Sequence, residues 1–77
     1  MQATEKEFFD YEISIGVTPE NPDYWALMDG TANIIKNYAQ SVIEIGAGMG
    51  TLGECLEHKG IEYHGIEPNK YHRDFAR

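Results

Sequence analysis

The sequence predicts an α/β chain in which N-terminal helices lead into one βαβ unit with an incomplete sheet. Three observations predict it. Residues 41–45, Ser-Val-Ile-Glu-Ile, form a run rich in β-branched residues that ends at a glycine cluster. Residues 61–67 form a second run of strand formers, and residues 51–59 between them place Leu52, Cys55 and Leu56 on one side of a helix. Two strands joined through a helix are not a hairpin, and connection rules then make them parallel with a right-handed crossover.

The elements follow in order. Thr4, three residues before Glu7, fits a capping box and starts a short helix through Phe8, Phe9 and Tyr11, which Gly16 and Pro19 interrupt. Residues 1–20 read as an N-terminal arm or lid, and residues 21–77 as the domain proper. Asn21-Pro22 starts the next helix, because Asn caps and Pro at the first helical position gives up an amide that lacks an intrahelical partner anyway. Asp23 favours that first turn through the helix dipole. Tyr24, Trp25 and Met28 make an apolar patch before Asp29-Gly30, where the chain is expected to break or bend. Thr31 then caps a second helix with Ile34, Ile35 and Tyr38 on one face and Lys36, Asn37 and Gln40 on the other. The run 41–45 reads as a buried parallel strand with Glu44 its one polar intruder. Gly60 closes the helix over 51–59, with His58 and Lys59 near its C-terminus. Pro68-Asn69 leads into a last helical stretch, 70–77.

With 77 residues the chain makes one small domain at most, and its composition, 42% hydrophobic and 25% charged, is that of a folding protein rather than a disordered one. A chain of this size buries only about 60–65% of its unfolded surface, so its core is thin. One cysteine makes no internal disulfide. Support is therefore expected from self-association or from a partner chain that completes the sheet. Thirteen acidic against six basic residues, a net charge of −7, oppose direct nucleic-acid binding by this segment. No apolar run approaches the ~20 residues that span a bilayer, and the polar start lacks the apolar core of a signal peptide, so no membrane association and a cytoplasmic location are expected.

The chemistry concentrates in residues 44–50, Glu-Ile-Gly-Ala-Gly-Met-Gly. Gly46, Gly48 and Gly50, with Ala47 between the first two, sit where a parallel strand meets a helix, the place at which open α/β sheets bind ligands. Without side chains there, a ligand touches the main chain directly. Glu67 follows at the end of the second strand, at the distance from which an acid accepts hydrogen bonds from both hydroxyls of a ribose. Loop and acid together describe an adenosine-type ligand; the other reading of Glu67 is a solvated carboxylate at a strand end. A dinucleotide asks for G-x-G-x-x-G, and from Gly46 that spacing reaches Thr51 instead of glycine. A second register, Gly48-x-Gly50-x-x-Gly53, matches but puts Gly53 well inside the helix. Glu44 repels a pyrophosphate and attracts a cation, so the ligand is expected to carry positive charge; a structural role for Glu44, accepting from loop amides, stands beside that one.

The pattern Glu44-x-Gly46-x-Gly48-x-Gly50 resembles the glycine-rich first motif of the Rossmann-like S-adenosylmethionine-dependent methyltransferases, and Gly65-Ile66-Glu67-Pro68-Asn69 is similar to their second-strand segment. The resemblance covers residues 41–77 and implies that Gly46, Gly48 and Gly50 border the methionine and ribose parts of S-adenosylmethionine, that Glu44 helps fix its amino-acid end, and that Glu67 binds the ribose. It implies a Rossmann-like methyltransferase fold represented by its N-terminal half. More loosely, residues 21–40 resemble the helices that close over the cofactor in that family, which would place Tyr24, Trp25 or Thr31 near it; for Tyr24 and Trp25 the reading as buried residues of an amphipathic helix comes first, and they are left out of the site. The family's later strands, which carry its catalytic and acceptor residues, have no counterpart here, so no catalytic group is assigned and an isolated monomer of this length is not expected to be active. Methyl transfer to an acceptor belongs, on this resemblance, to the complete domain.

The remaining signals read as structural. Cys55 and His58 lie three apart on one helix but lack the further ligands zinc requires, so no metal is expected. His64 and His72 read as surface or interface groups, and the acidic first 30 residues as a solvated face. Two other functions fit the scaffold: a non-catalytic assembly or interaction module, and an NAD- or nucleotide-binding fragment.

Overall fold

The computed structural model describes residues 4–76; the first three residues of the expected arm and Arg77 of the expected last helix lie outside the described residues. The described residues form a small mixed α/β protein with four helices and two parallel strands: α1 (Glu5–Ser14), α2 (Pro22–Ile35), β1 (Ser41–Ile45), α3 (Thr51–His58), β2 (Glu62–Ile66) and α4 (Lys70–Ala76).

The first two expected helix starts are built as the sequence implies. The Thr4 hydroxyl accepts from the Glu7 amide at 3.1 Å while the Glu7 carboxylate accepts from the Thr4 amide, a complete capping box. The Asn21 side chain accepts from the Asp23 amide at 3.1 Å, with Pro22 in the first helical turn.

The expected break at Asp29-Gly30 does not occur. Helix α2 runs unbroken to Ile35, and the Thr31 hydroxyl, instead of capping a new helix, donates to the Leu27 carbonyl at 2.9 Å. A mid-helix glycine costs only about 1 kcal/mol relative to alanine, and here packing outweighs it: Trp25, Met28, Ala32 and Ile35 share one face that joins Cys55, Leu56 and Ile61 in the core. The Lys59 ammonium pairs with Asp29, tying α3 to α2. Because this face is set by Ala32 and Ile35, Ile34 and Tyr38 turn outward to solvent, contrary to the expected shared face.

The strands pair in parallel with Ser41 opposite Glu62, Val42 opposite Tyr63 and Glu44 opposite Gly65. Their inner face, Val42 and Tyr63, meets the helical core. The expectation of a fully buried β1 fails on the other face, where Ile43 is 71% and Ile45 82% exposed. The helices that cover the sheet lie on one side only.

Candidate functional site: the glycine loop and its two carboxylates

Three positive φ values, +79° at Gly46, +61° at Gly48 and +82° at Gly50, turn the chain from β1 into α3. Alternate glycines are needed because L side chains are strained in that region of conformational space. The loop is tied back to β2: the Gly46 and Ala47 amides donate to the Ile66 carbonyl at 2.8 and 3.1 Å. Gly50 caps α3 without any side-chain hydrogen bond.

Glu67 holds the loop from the far side. One carboxylate oxygen accepts from the Gly48 amide at 2.6 Å and the other from the Asn69 amide at 2.8 Å. The acid is thus neither freely solvated nor idle: it clamps the glycine loop to the turn that starts α4. A carboxylate has about four acceptor positions, so two remain for ligand hydroxyls. Arg73 steadies the same turn by donating from Nη1 to the Glu67 and Pro68 carbonyls at 3.0 and 2.6 Å.

Glu44 is held from within the sheet. The Tyr63 hydroxyl donates to its Oε1 at 2.7 Å, reaching diagonally across the strands. Two glycines leave the space for that ring. A Cβ at Gly53 would lie 2.2 Å from the nearest Tyr63 ring carbon, and one at Gly65 would lie 2.6 Å from the Tyr63 hydroxyl and 3.0 Å from the Ala47 Cβ. Gly53, well inside α3, therefore has a packing role: it lets the helix close on β2. Burial, followed by the bond to Glu44, pushes the Tyr63 hydroxyl well above the ordinary tyrosine range.

The loop separates two openings. On one side lies a small cavity of ≈ 120 Å³ whose walls include Glu12, Tyr24, Glu44, Gly46 and Gly48. On the other runs a groove of ≈ 510 Å³ bounded by Gly50, Glu54, Glu57, Tyr63, Glu67 and Arg73, and Ala47, Gly48 and Met49 are common to both. The predicted residues Glu44, Gly46, Ala47, Gly48, Gly50 and Glu67 thus gather around one loop, with the two acids on opposite sides of it. Among the described residues, the small cavity is lined by two carboxylates and no basic side chain. Tyr24 registers that field: burial, then the charges of Glu12 and Glu44, raise its hydroxyl above the ordinary value.

Of the α2 residues that the resemblance would bring near a ligand, Tyr24 lines the small cavity, Trp25 packs against the core, as expected of an amphipathic helix, and beside His58, and Thr31 is bonded to its own helix. Glu12, Tyr63 and Arg73 escaped the sequence reading, since each acts across a tertiary contact rather than within a motif. His72, expected as a surface or interface group, is buried at 2% exposure where α1 packs on α4. Cys55 is fully buried while His58 is exposed, so the two point to different environments, and no cluster of three metal-ligating side chains occurs among the described residues. None of the helices among the described residues is long and apolar enough to cross a membrane.

Comparison with protein-family models, with curated proteins and with solved structures finds no match to this chain.

Proposed function

We propose that the chain binds S-adenosylmethionine, or its product S-adenosylhomocysteine, around the glycine loop, as the cofactor-binding part of a Rossmann-like methyltransferase domain. One observation carries the reading: Glu44 and Glu67 flank the same loop, one on a small acidic cavity and the other on a larger groove, with Gly48 shared between them. A ligand with cationic groups at its amino-acid end and a ribonucleoside at the other matches that division. The ammonium and sulfonium groups suit the side of Glu44 and Glu12, where bare backbone at Gly46 and Gly48 allows close approach. Ribose hydroxyls suit the two acceptor positions Glu67 has left. When bound, S-adenosylmethionine supplies an electrophilic methyl group; the residues here bind and orient it, and methyl transfer to an acceptor is part of the same proposal.

Titration calorimetry with S-adenosylhomocysteine tests it. Saturable binding, weakened alike by Glu67→Ala and Gly48→Val, is expected; absence of binding by the wild-type chain contradicts it.

Two observations favour other readings. Gly53 fills the helix–strand packing role of the third glycine in a dinucleotide loop, although Glu12, Glu44, Glu54, Glu57 and Glu67 around the openings disfavour a pyrophosphate. Displacement of S-adenosylhomocysteine by NADH would support the dinucleotide. The exposed Ile43, Ile45 and Ile66 favour assembly, with a second copy or a partner chain covering the sheet. Light scattering that reports a well-folded monomer at micromolar concentration would contradict self-assembly.

A further inference from the structure

Helix α1 reaches the glycine loop by two routes. Glu5, Phe8, Phe9 and Glu12 recur at helical spacing and form one stripe that lies on α4. At the start of the stripe, Asn69 Nδ2 donates to the Glu5 carbonyl at 3.1 Å and the Lys70 amide donates to the Glu5 carboxylate at 3.1 Å. Asn69 is the hub of this route, for its backbone amide is the one that donates to Glu67, whose other oxygen holds the Gly48 amide. At the end of the stripe, Glu12 bonds His72 Nε2, and the His72 ring lies 4.0 Å from where a Cβ on Gly48 would sit. Between the two ends, Phe9 stacks edge-on against His72 at 5.2 Å and packs on Tyr71 and Phe75.

The same helix is shallowly docked. None of its residues is fully buried, and it joins the rest of the chain through Gly16, whose φ of +85° makes a sharp turn. His72 Nδ1 is buried with no hydrogen-bond partner, a penalty that persists only while α1 covers the ring. A helix with little buried surface, a turn at its base and an unsatisfied group beneath it is suited to reversible detachment.

We propose that α1 is a strap over the glycine loop, latched by Glu12 on His72, and that its docking is coupled to the grip of Glu67 on the Gly48 amide. With the strap down, Glu12 walls the small cavity and Asn69 is held in the position from which it orders Glu67. With the strap up, the cavity loses that wall, Asn69 loses its α1 contacts, and the loop loosens. The coupling resides in the protein alone and does not depend on which ligand the loop takes.

Amide hydrogen exchange by NMR on the full chain tests it without ligand. In the Glu12→Ala variant, exchange of the α1 amides and of the Gly48 amide should accelerate together, by about tenfold, while Cys55 and Leu56 in α3 keep their protection and report that the core is folded. Glu5→Ala, at the other end of the stripe and on the surface, should act in the same direction and is decisive if Glu12→Ala also lowers α3 protection. Faster exchange in α1 with Gly48 unchanged overturns the coupling. Unchanged exchange in α1, or an α1 already unprotected in the wild type, overturns the latch.

Discussion

The Tyr63 hydroxyl donates to Glu44 from the neighbouring strand, two residues out of register, through a gap that Gly65 leaves open and Gly53 makes deep enough for the ring. That bond fixes one of the two carboxylates that give the small cavity its charge. It links packing between α3 and β2 to the electrostatics of the loop.

Removing the hydroxyl tests the link. Tyr63→Phe leaves the ring in place and the Glu44 carboxylate without its donor, so a loss of about 1–3 kcal/mol is expected, measured by urea denaturation. Substitution without any change in midpoint would mean that water replaces the bond at no cost.

The same hydroxyl sets a pH dependence. Burial and the Glu44 carboxylate disfavour its ionised form, so its native value lies above the unfolded one. The sign follows: this contribution to stability is complete below the ordinary tyrosine value of about 10 and declines as pH rises past it. Alkaline titration by ultraviolet absorbance should show Tyr63 ionising last, later than Tyr24, which is also raised, and Tyr63→Phe should remove that last step. If all five tyrosines titrate together, the bond to Glu44 is not kept in solution.

Gly53→Ala reverses the usual preference. In an exposed helix that change stabilises by about 1 kcal/mol, but here the methyl group enters the Tyr63 ring. Net destabilisation of about 1–3 kcal/mol is expected, and combining it with Tyr63→Ala should relieve most of the clash. Additive effects in the double mutant would contradict the contact.

Cys55 has no exposed surface, and burial, followed by the charge of Asp29, raises its thiol above the ordinary value. Thiolate is the reactive form. Reaction with a disulfide reagent should therefore be slow in the native chain and speed up through the urea unfolding transition. Rapid modification under native conditions would show that α2 and α3 separate easily.

Local signals were readable from the residues because their chemistry is local. Thr4 with Glu7, Asn21 with Pro22, the β-branched run of 41–45 and the alternate glycines each act within a few positions, and all were placed where they occur. What escaped the reading depends on the third dimension. Gly30 looks like a breaker until the faces of α2 are known, since Ala32 and Ile35 continue the stripe begun by Trp25. His72 gives no sign of burial in sequence, because Phe8 and Phe9, sixty and more positions earlier, cover it. The spacing of Glu67 from Gly46 sets it beside the loop, yet its clamp on the Gly48 amide is a tertiary bond that no spacing displays.

A titration of the isotope-labelled chain with S-adenosylhomocysteine, followed by amide NMR, decides whether the glycine loop is the ligand site. Saturable shifts are expected at Gly46, Gly48, Gly50 and Glu67, with the Tyr24 amide moving alongside and NADH failing to compete. An absence of shifts at millimolar ligand, or saturable shifts confined to residues away from the glycine loop, would contradict it.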